Sequence, residues 1–328
     1  MIISKTPLRT SFFGGGTDFK GYFENSRHGY GEVLSTAVNM YVYITVSKKF
    51  DDKIRVCYSQ NEIVDSVDEI RHNIIREAMK MVGITKGIEI IYTADLPLAT
   101  AGVGLASSSA IAAGTLNALL AYKGIYASPE KLAQMACELE IDRLSSPIGI
   151  QDQYAVAYGG FRRYRFFSDG SVSAEPIFAS LTSCQRLETS LMLFYTGITR
   201  NSSVILREQT DTIPQKMSLL DSMVEDAENA YCALCQGDVD SWGPMLDSSW
   251  KKKKRFASEI SNSVIDEMYD LAQTAGATGG KILGAGGGGF LLLYVPEECQ
   301  SAVRRVLHEF REVGFHFEAG GSRIIFCD

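Results

Sequence analysis

The stretch Pro97-Leu98-Ala99-Thr100-Ala101-Gly102-Val103-Gly104-Leu105-Ala106-Ser107-Ser108-Ser109-Ala110 decides the fold. Before it, Gly87 to Leu96 reads as a strand. After it, Ser108 to Lys123 reads as an Ala-rich helix. Gly102 and Gly104 let backbone amides come close to a ligand. The helix that follows offers unsatisfied N–H groups and a positive dipole end. Hydroxyls at Ser107, Ser108 and Ser109 suit phosphate oxygens or a metal, so the segment has the makings of an anion cradle. The same residues also suit a flexible loop with an ordinary Ser cap, and a glycine-rich loop alone does not choose between the two. It is not a Walker A loop, because no Gly-Lys-Ser/Thr follows the glycines. Gly280-Lys281 is followed by Ile282 and fails the same test.

Outward from the loop, regular elements alternate. Upstream, residues 1–13 read as a strand running into Gly14-Gly15-Gly16, and Thr17 reads as the N-cap of a short helix, Asp18 to Glu24. Glu32 to Lys48 is rich in Val, Ile, Tyr and Thr and suits a long strand, with Lys53 to Ser59 as its hairpin partner. Ser66 and Glu69 form a capping box that opens a helix to Met81, ended by Gly83. Downstream, Ser128-Pro129 starts a helix with proline at its favoured first position. Residues 147–160 are a compact polar segment, and Gly160 to Phe167 and Thr189 to Tyr195 read as strands. Helical patterns then cover 202–275. The strand Phe290 to Val295, a helix from Glu297 to Val313 and a last strand, Ser322 to Phe326, complete the chain. The pattern is α+β, with a domain boundary expected between 165 and 190.

Composition narrows the function. The 328 residues are 45% hydrophobic and 22% charged, enough to build a core without a disulfide or metal staple. The net charge of −7 rules out a global positive field for nucleic acid or an acidic membrane. An anionic ligand must therefore be held by local cations, a metal or backbone amides. Cys232 and Cys235 make a CxxC, but no second pair or nearby His completes a zinc site, so they read as ordinary thiols. The start, Met1 to Pro7, carries no signal-peptide pattern. The longest apolar run, Phe290 to Val295, is far short of the ~20 residues that span a bilayer. A cytoplasmic location is expected, and the glycosylation pattern Asn201-Ser202-Ser203 is then idle.

Three further segments carry chemistry-bearing residues. Gly284-Ala285-Gly286-Gly287-Gly288-Gly289-Phe290 contains GxGxxG, but a strand follows it where a dinucleotide fold needs a helix. A run this dense reads either as backbone lying against a ligand or another loop, or as a tight turn between strands. In Glu140 to Gln153, carboxylates at Glu140 and Asp152 suit a divalent metal or a hydroxyl proton. Glu140 alone also reads as a solvated helix residue. In Lys5 to Asp18, Arg9 needs a partner if buried. Asp18 is either a first-turn acid or an acceptor for a ligand's hydroxyls.

Taken in chain order, Pro7-Leu8-Arg9 with Gly14-Gly15-Gly16-Thr17-Asp18, then Gly104 to Ala110, then Gly149-Ile150-Gln151-Asp152-Gln153, then Gly284 to Phe290 resemble the galactokinase, homoserine kinase, mevalonate kinase and phosphomevalonate kinase (GHMP) superfamily. The resemblance spans essentially the whole chain. Lys5 to Asp18 and Leu193 to Arg200 most resemble the D-glycero-D-manno-heptose phosphate kinases, and fucokinase domains share much of the pattern. The resemblance implies a ribosomal protein S5 domain 2-like N-terminal domain (1–175) and a ferredoxin-like C-terminal domain (176–328), with ATP between them. It implies that Gly102, Val103, Gly104, Leu105, Ala106, Ser107, Ser108 and Ser109 cradle ATP phosphates, and that Ser109 and Glu140 hold Mg²⁺. Asp152 would orient or deprotonate the attacking hydroxyl, and Arg9 would hold Asp152 and steady charge on the moving phosphoryl. Gly15, Gly16, Thr17, Asp18, Gly286 and Gly287 would bind the acceptor, a sugar or sugar phosphate.

Two departures stand out. The stretch from Pro97 to Gly104 is longer than the usual motif, and Ala106 stands where many members have Gly. Arg200 reads either as a reader of a substrate phosphate, because guanidinium matches phosphate bidentately, or as a surface residue at a helix start. Lys251 to Arg255 reads as a solvated stretch, since consecutive residues wrap around a helix. Against a sugar 1-kinase stand an isoprenoid-pathway enzyme on the same fold and a catalytically inactive ATP- and sugar-binding regulator. The full set of Arg9, Ser109, Glu140 and Asp152 argues against the regulator.

Overall fold

A computed structural model describes residues 1–96, 104–199 and 202–328. Its first sheet is built around β1 (Ile2–Phe13) and β2 (Tyr30–Lys48), joined across the short helix α1 (Lys20–Phe23). The 19 residues of β2 are long enough to serve two partners on one edge. Residues Val42 to Lys48 pair with β5 (Ile88–Ala94), and Tyr30 to Thr36 pair with β6 (Phe161–Phe167). The sheet continues from β5 to β3 (Ile54–Cys57) and β4 (Asn61–Val64), and from β6 to β7 (Val172–Pro176).

Helix α2 (Asn73–Val82) and helix α3 (Ser107–Tyr122) follow on one face, with α4 (Pro129–Cys137) and α5 (Gln151–Tyr158) beside them. A π-helical turn, Glu138–Arg143, extends α4. Apolar residues surround α3 on every side, the pattern of a helix buried all round. It lies close over β1, where the Ser4 hydroxyl donates to the Gly114 carbonyl at 2.8 Å.

The later part of the chain carries α6 (Leu181–Thr189), β8 (Leu191–Tyr195), the 34-residue α7 (Ser202–Cys235), α8 (Trp242–Lys253) and α9 (Ser263–Thr274). After them come β9 (Gly279–Ile282), β10 (Phe290–Tyr294), α10 (Gln300–Val306) and β11 (Arg311–Glu312). Strands β11-β8-β10-β9 form a second, antiparallel sheet. The chain then returns to the first sheet, where β12 (Arg323–Cys327) pairs with the free edge of β1.

Trp242 joins the two halves. Its ring meets Phe12 and Phe13 of β1 edge-on, with centroids 5.3 and 5.1 Å away, and its Nε1 donates to the Ala230 carbonyl of α7.

The structure corrects several expectations. Thr17 caps no helix, because its hydroxyl is occupied: it donates to the Glu32 carbonyl and accepts the Glu32 N–H, both at 2.9 Å. Helix α1 begins at Lys20 instead. Strand β3 is no hairpin partner of β2 but runs parallel to β5, Ile54 opposite Ile88. Ser66 caps only a 3₁₀ turn, Val67–Glu69. The Glu62 carboxylate takes the N–H groups of Arg71 and His72 and holds them out of a helix, so α2 starts at Asn73. The helix expected to reach Val313 stops at Val306, since the open edge of β8 captures Arg311 and Glu312 as a strand. Cys232 and Cys235 are free and exposed. Among the described residues no helix is long and apolar enough to cross a membrane.

Because Trp242 is fully buried between the sheets, Trp242→Ala should cost about 3–5 kcal/mol, the usual range for emptying an aromatic core position. Urea unfolding followed by circular dichroism measures this, and a loss under about 1 kcal/mol would show that the two halves do not depend on this contact.

Candidate active site

A cavity of about 840 Å³ opens between the two halves. Its walls include Arg9 and Ser11 of β1, the Gly15-Gly16 turn with Asp18, the N-terminus of α3, Glu140, Asp152 at the start of α5, and Lys253 and Lys281 from the second half.

At its centre Arg9 is almost fully buried, and it grips Asp152 with two hydrogen bonds. Nε donates to Oδ1 at 2.8 Å and Nη2 to Oδ2 at 2.7 Å. The third guanidinium nitrogen, Nη1, donates to the Gly104 carbonyl at 2.7 Å, and the Arg9 N–H donates to the Leu105 carbonyl. A planar fork with this many fixed partners cannot swing, so the Asp152 carboxylate is held in one orientation while its outer edge stays a quarter exposed to the cavity.

The loop residues Gly104, Ala106, Ser107, Ser108 and Ser109 lie on the cavity wall. Ala106 has φ of +62°, so a left-handed residue with no capping side chain precedes α3. That geometry explains a preference for glycine at this place, since a Cβ is disfavoured there. The loop is braced by the glycine-rich run. A Cβ on Gly104 would sit 2.3 Å from the Leu283 carbonyl oxygen, and one on Gly284 would sit 2.6 Å from the Gly104 Cα. The two backbones are thus in direct contact.

Glu140 lies on the π-helical turn, where the widened backbone turns it inward. Its Oε2 accepts from the Ser109 hydroxyl at 2.6 Å and from Gln153 Nε2 at 2.7 Å. Burial pushes its carboxyl above the usual carboxylate range, against the pull of those hydrogen bonds. Asp18 is pushed the same way, chiefly by burial and also by the nearby Asp152 charge. Its two oxygens accept the N–H groups of Gly16 at 2.9 Å and Gln151 at 3.3 Å.

No group of three or more His, Cys, Asp or Glu side chains converges as a metal cage among the described residues. The Ser109 hydroxyl and Glu140 carboxylate fit Mg²⁺ even so. That ion takes one or two protein oxygens and completes its shell with phosphate oxygens and water. Ser107 Oγ, beside the same helix start, is buried with no hydrogen-bond partner among the described residues.

Four expected site residues lie off the cavity wall. Thr17 turns its hydroxyl to Glu32, away from the cavity. Leu105 sends its side chain into the core and gives only its carbonyl to Arg9. Gly286 and Gly287 pack on Ile260, whose carbonyl accepts the Gly287 N–H, while Gly284 and Ala285 line the cavity in their place. Gly102, Val103 and Arg200 lie outside the described residues.

Two cavity residues escaped the sequence reading. Lys253 is buried, and its Nζ donates to the Gly15 carbonyl at 3.0 Å and to Gln209 Oε1 at 3.3 Å. Lys281 is equally buried and donates to the Phe12 carbonyl at 2.9 Å. The signal for Lys253 was present: Leu246, Trp250 and Lys253 fall at helical spacing on the buried face of α8.

A serine-rich helix start, a hydroxyl–carboxylate pair that fits a divalent cation and an Arg-held aspartate share one cavity, an arrangement that suits phosphoryl transfer. Comparison with known proteins agrees. The model for the GHMP kinases N terminal domain matches residues 70–160, and that for GHMP kinases C terminal matches residues 230–322. The chain belongs to the GHMP kinase family, whose members use ATP.

The chain is similar to the D-glycero-alpha-D-manno-heptose 7-phosphate kinase of Campylobacter jejuni, 29% identical over 311 residues that cover 90% of this chain and 89% of that one. It is also similar to a Pyrococcus furiosus galactokinase, 26% identical over 90% of each chain. Among solved structures, a putative sugar kinase from Campylobacter jejuni superposes with a TM-score of 0.77 at 26% identity, covering 98% of this chain and 97% of that one. A D-glycero-D-manno-heptose 1-phosphate kinase from Bacteroides thetaiotaomicron shares the fold over the full length of both chains, with a TM-score of 0.81 at 24% identity.

Burial lowers Lys253 to about 8 and Lys281 to about 7, from an ordinary value of 10.5. Between those values and 10.5 the unfolded chain binds protons that the folded chain does not. Stability of the ligand-free protein therefore gains from both groups as pH rises through that window, and the gain is absent below pH 7. Lys281→Met should accordingly raise the melting temperature more at pH 6 than at pH 9. Equal shifts at the two pH values would refute a depressed lysine.

Proposed function

We propose that the chain is a Mg-ATP-dependent sugar kinase that phosphorylates the anomeric hydroxyl of D-glycero-D-manno-heptose 7-phosphate and works in the cytoplasm. The observation that carries the kinase chemistry is the Arg9–Asp152 pair, set between the serine-rich helix start and the Asp18 turn. The choice of acceptor rests on similarity to the heptose-phosphate kinase named above.

In this reading the phosphates of ATP lie against the N–H groups and hydroxyls at the start of α3, with the orphan Ser107 hydroxyl among the donors. Ser109 and Glu140 hold Mg²⁺, which when bound neutralises charge on the phosphates. Asp18 accepts hydrogen bonds from the sugar's hydroxyls, backed by the Gly15-Gly16 turn. The anomeric hydroxyl donates to Asp152, which turns the hydroxyl oxygen's lone pair toward the γ-phosphorus and takes the proton as the new oxygen–phosphorus bond forms and the bond from that phosphorus to the bridging oxygen breaks, releasing ADP. An anomeric hydroxyl is more acidic than an ordinary alcohol, so little base strength is needed. Arg9 keeps Asp152 aimed and places a fixed positive charge beside the moving phosphoryl. A division at 1–175 and 176–328, with β12 returning to the first sheet, would put the nucleotide loop in one domain and Lys253, Lys281 and the bracing glycines in the other.

Coupled ADP release with Mg-ATP over a panel of heptose 7-phosphate, free heptose, fucose, galactose and mevalonate tests the acceptor. Turnover confined to the heptose 7-phosphate is expected, and preference for a free sugar or for mevalonate would reject that substrate while leaving the kinase. Separately, Asp152→Asn should lower kcat by at least ~100-fold, the range for losing a proton-transfer group, with the fold preserved by circular dichroism. Near-normal kcat would remove Asp152 from the chemistry.

A further inference from the structure

Buried ammonium groups are costly unless an anion meets them. Lys253 and Lys281 are each about 6% exposed and both line the cavity. Among the described residues neither reaches a carboxylate at ion-pair distance; their partners are the neutral oxygens of Gly15, Gln209 and Phe12. Three facts set where an anion would go. Lys253 reaches Gly15, within the turn that leads to Asp18, and Lys281 reaches Phe12, at the end of the strand that feeds that turn. Arg9 is already committed to Asp152 and Gly104. Asp18 acts electrostatically on both lysines but makes no ion pair with either, and each of its oxygens already accepts one N–H, from Gly16 and Gln151. This corner of the cavity thus holds two cations against one acid, a surplus of positive charge in a dry place.

We infer that Lys253 and Lys281 form a subsite for a phosphate group carried by the acceptor substrate. The inference rests on the sugar-kinase reading above and deepens it, since it assigns recognition of the acceptor's own phosphate to α8 and β9. Each ammonium keeps its carbonyl partner and has donors left for phosphate oxygens. The depressed basicity of both groups in the free protein fits the same account, because an incoming dianion restores their charge. ATP is the other possible source of a phosphate in this cavity, and the kinetics separate the two.

The test compares wild type with Lys253→Met and Lys281→Met, which keep the length of the side chain and remove its charge. KM for heptose 7-phosphate divided by KM for the free heptose should rise about 30-fold or more in each variant, the scale of losing one partner of a buried charge pair, while KM for ATP moves less than about threefold. A rise in KM for ATP with the acceptor ratio unchanged would assign the lysines to the nucleotide and overturn the inference. A second arm uses inorganic phosphate as the probe. Calorimetry with inorganic phosphate should show binding to the ligand-free wild type, and phosphate should inhibit turnover in competition with the acceptor and not with ATP. Absence of phosphate binding would sink the subsite whatever the acceptor is. Phosphate binding that Lys253→Met and Lys281→Met both abolish, without turnover of any sugar, would instead sink the sugar-kinase reading and leave the subsite standing.

Discussion

The Arg9 guanidinium and its three hydrogen bonds are the constraint on which the site depends. Its partners come from positions 95 and 143 residues away along the chain, the Gly104 carbonyl and the Asp152 carboxylate. Leaving a buried guanidinium unpaired is costly, so the Gly104 loop and the start of α5 are drawn to β1 and held there. Glu140 and Ser109 then face each other across 2.6 Å because α3 and the π-helical turn are both fixed to that frame. The second half reaches in through Gly284, whose backbone touches Gly104. The loop is therefore gripped on one side by charge and on the other by close backbone packing.

Burial of charge is the theme of the whole cavity. Asp18, Glu140, Arg9, Lys253 and Lys281 are all largely withdrawn from water. Acids pushed up and lysines pushed down are the expected outcome of desolvation. Such groups are poorly stabilised without a ligand, and a cation or anion of opposite charge would stabilise them. A phosphoryl-transfer site gains from this arrangement, because it works by positioning and neutralising charge and not by elaborate covalent chemistry. A protein with net charge −7 can hold anions only in this local way.

Much of the molecule was legible along the chain. The long second strand, the Ala-rich α3 and the helical stretch after 202 carry strong periodic patterns, and α3 follows its loop as the composition required. Misreadings cluster where a distant group outcompetes a local signal. Thr17 looks like a cap until Glu32 claims its hydroxyl. Ser66 looks like a helix start until Glu62 captures the next free N–H groups. Lys253 looks solvated within a run of lysines until the buried face set by Leu246 and Trp250 turns it inward beneath Gly15.

By itself the sequence determined the class of elements, the glycine- and serine-rich loop ahead of α3 and the identity of the charged groups. These depend on residue type and on spacing within a dozen or so positions, where hydrophobic period and turn chemistry act directly. Only the tertiary structure decided which of those groups meet. The pairing of Arg9 with Asp152, the inward turn of Glu140, the placing of Gly284 rather than Gly286 against the loop, and the entry of Lys253 and Lys281 into the cavity all join segments far apart in the chain. Packing and desolvation set such contacts, and both are properties of the folded whole that no local window contains.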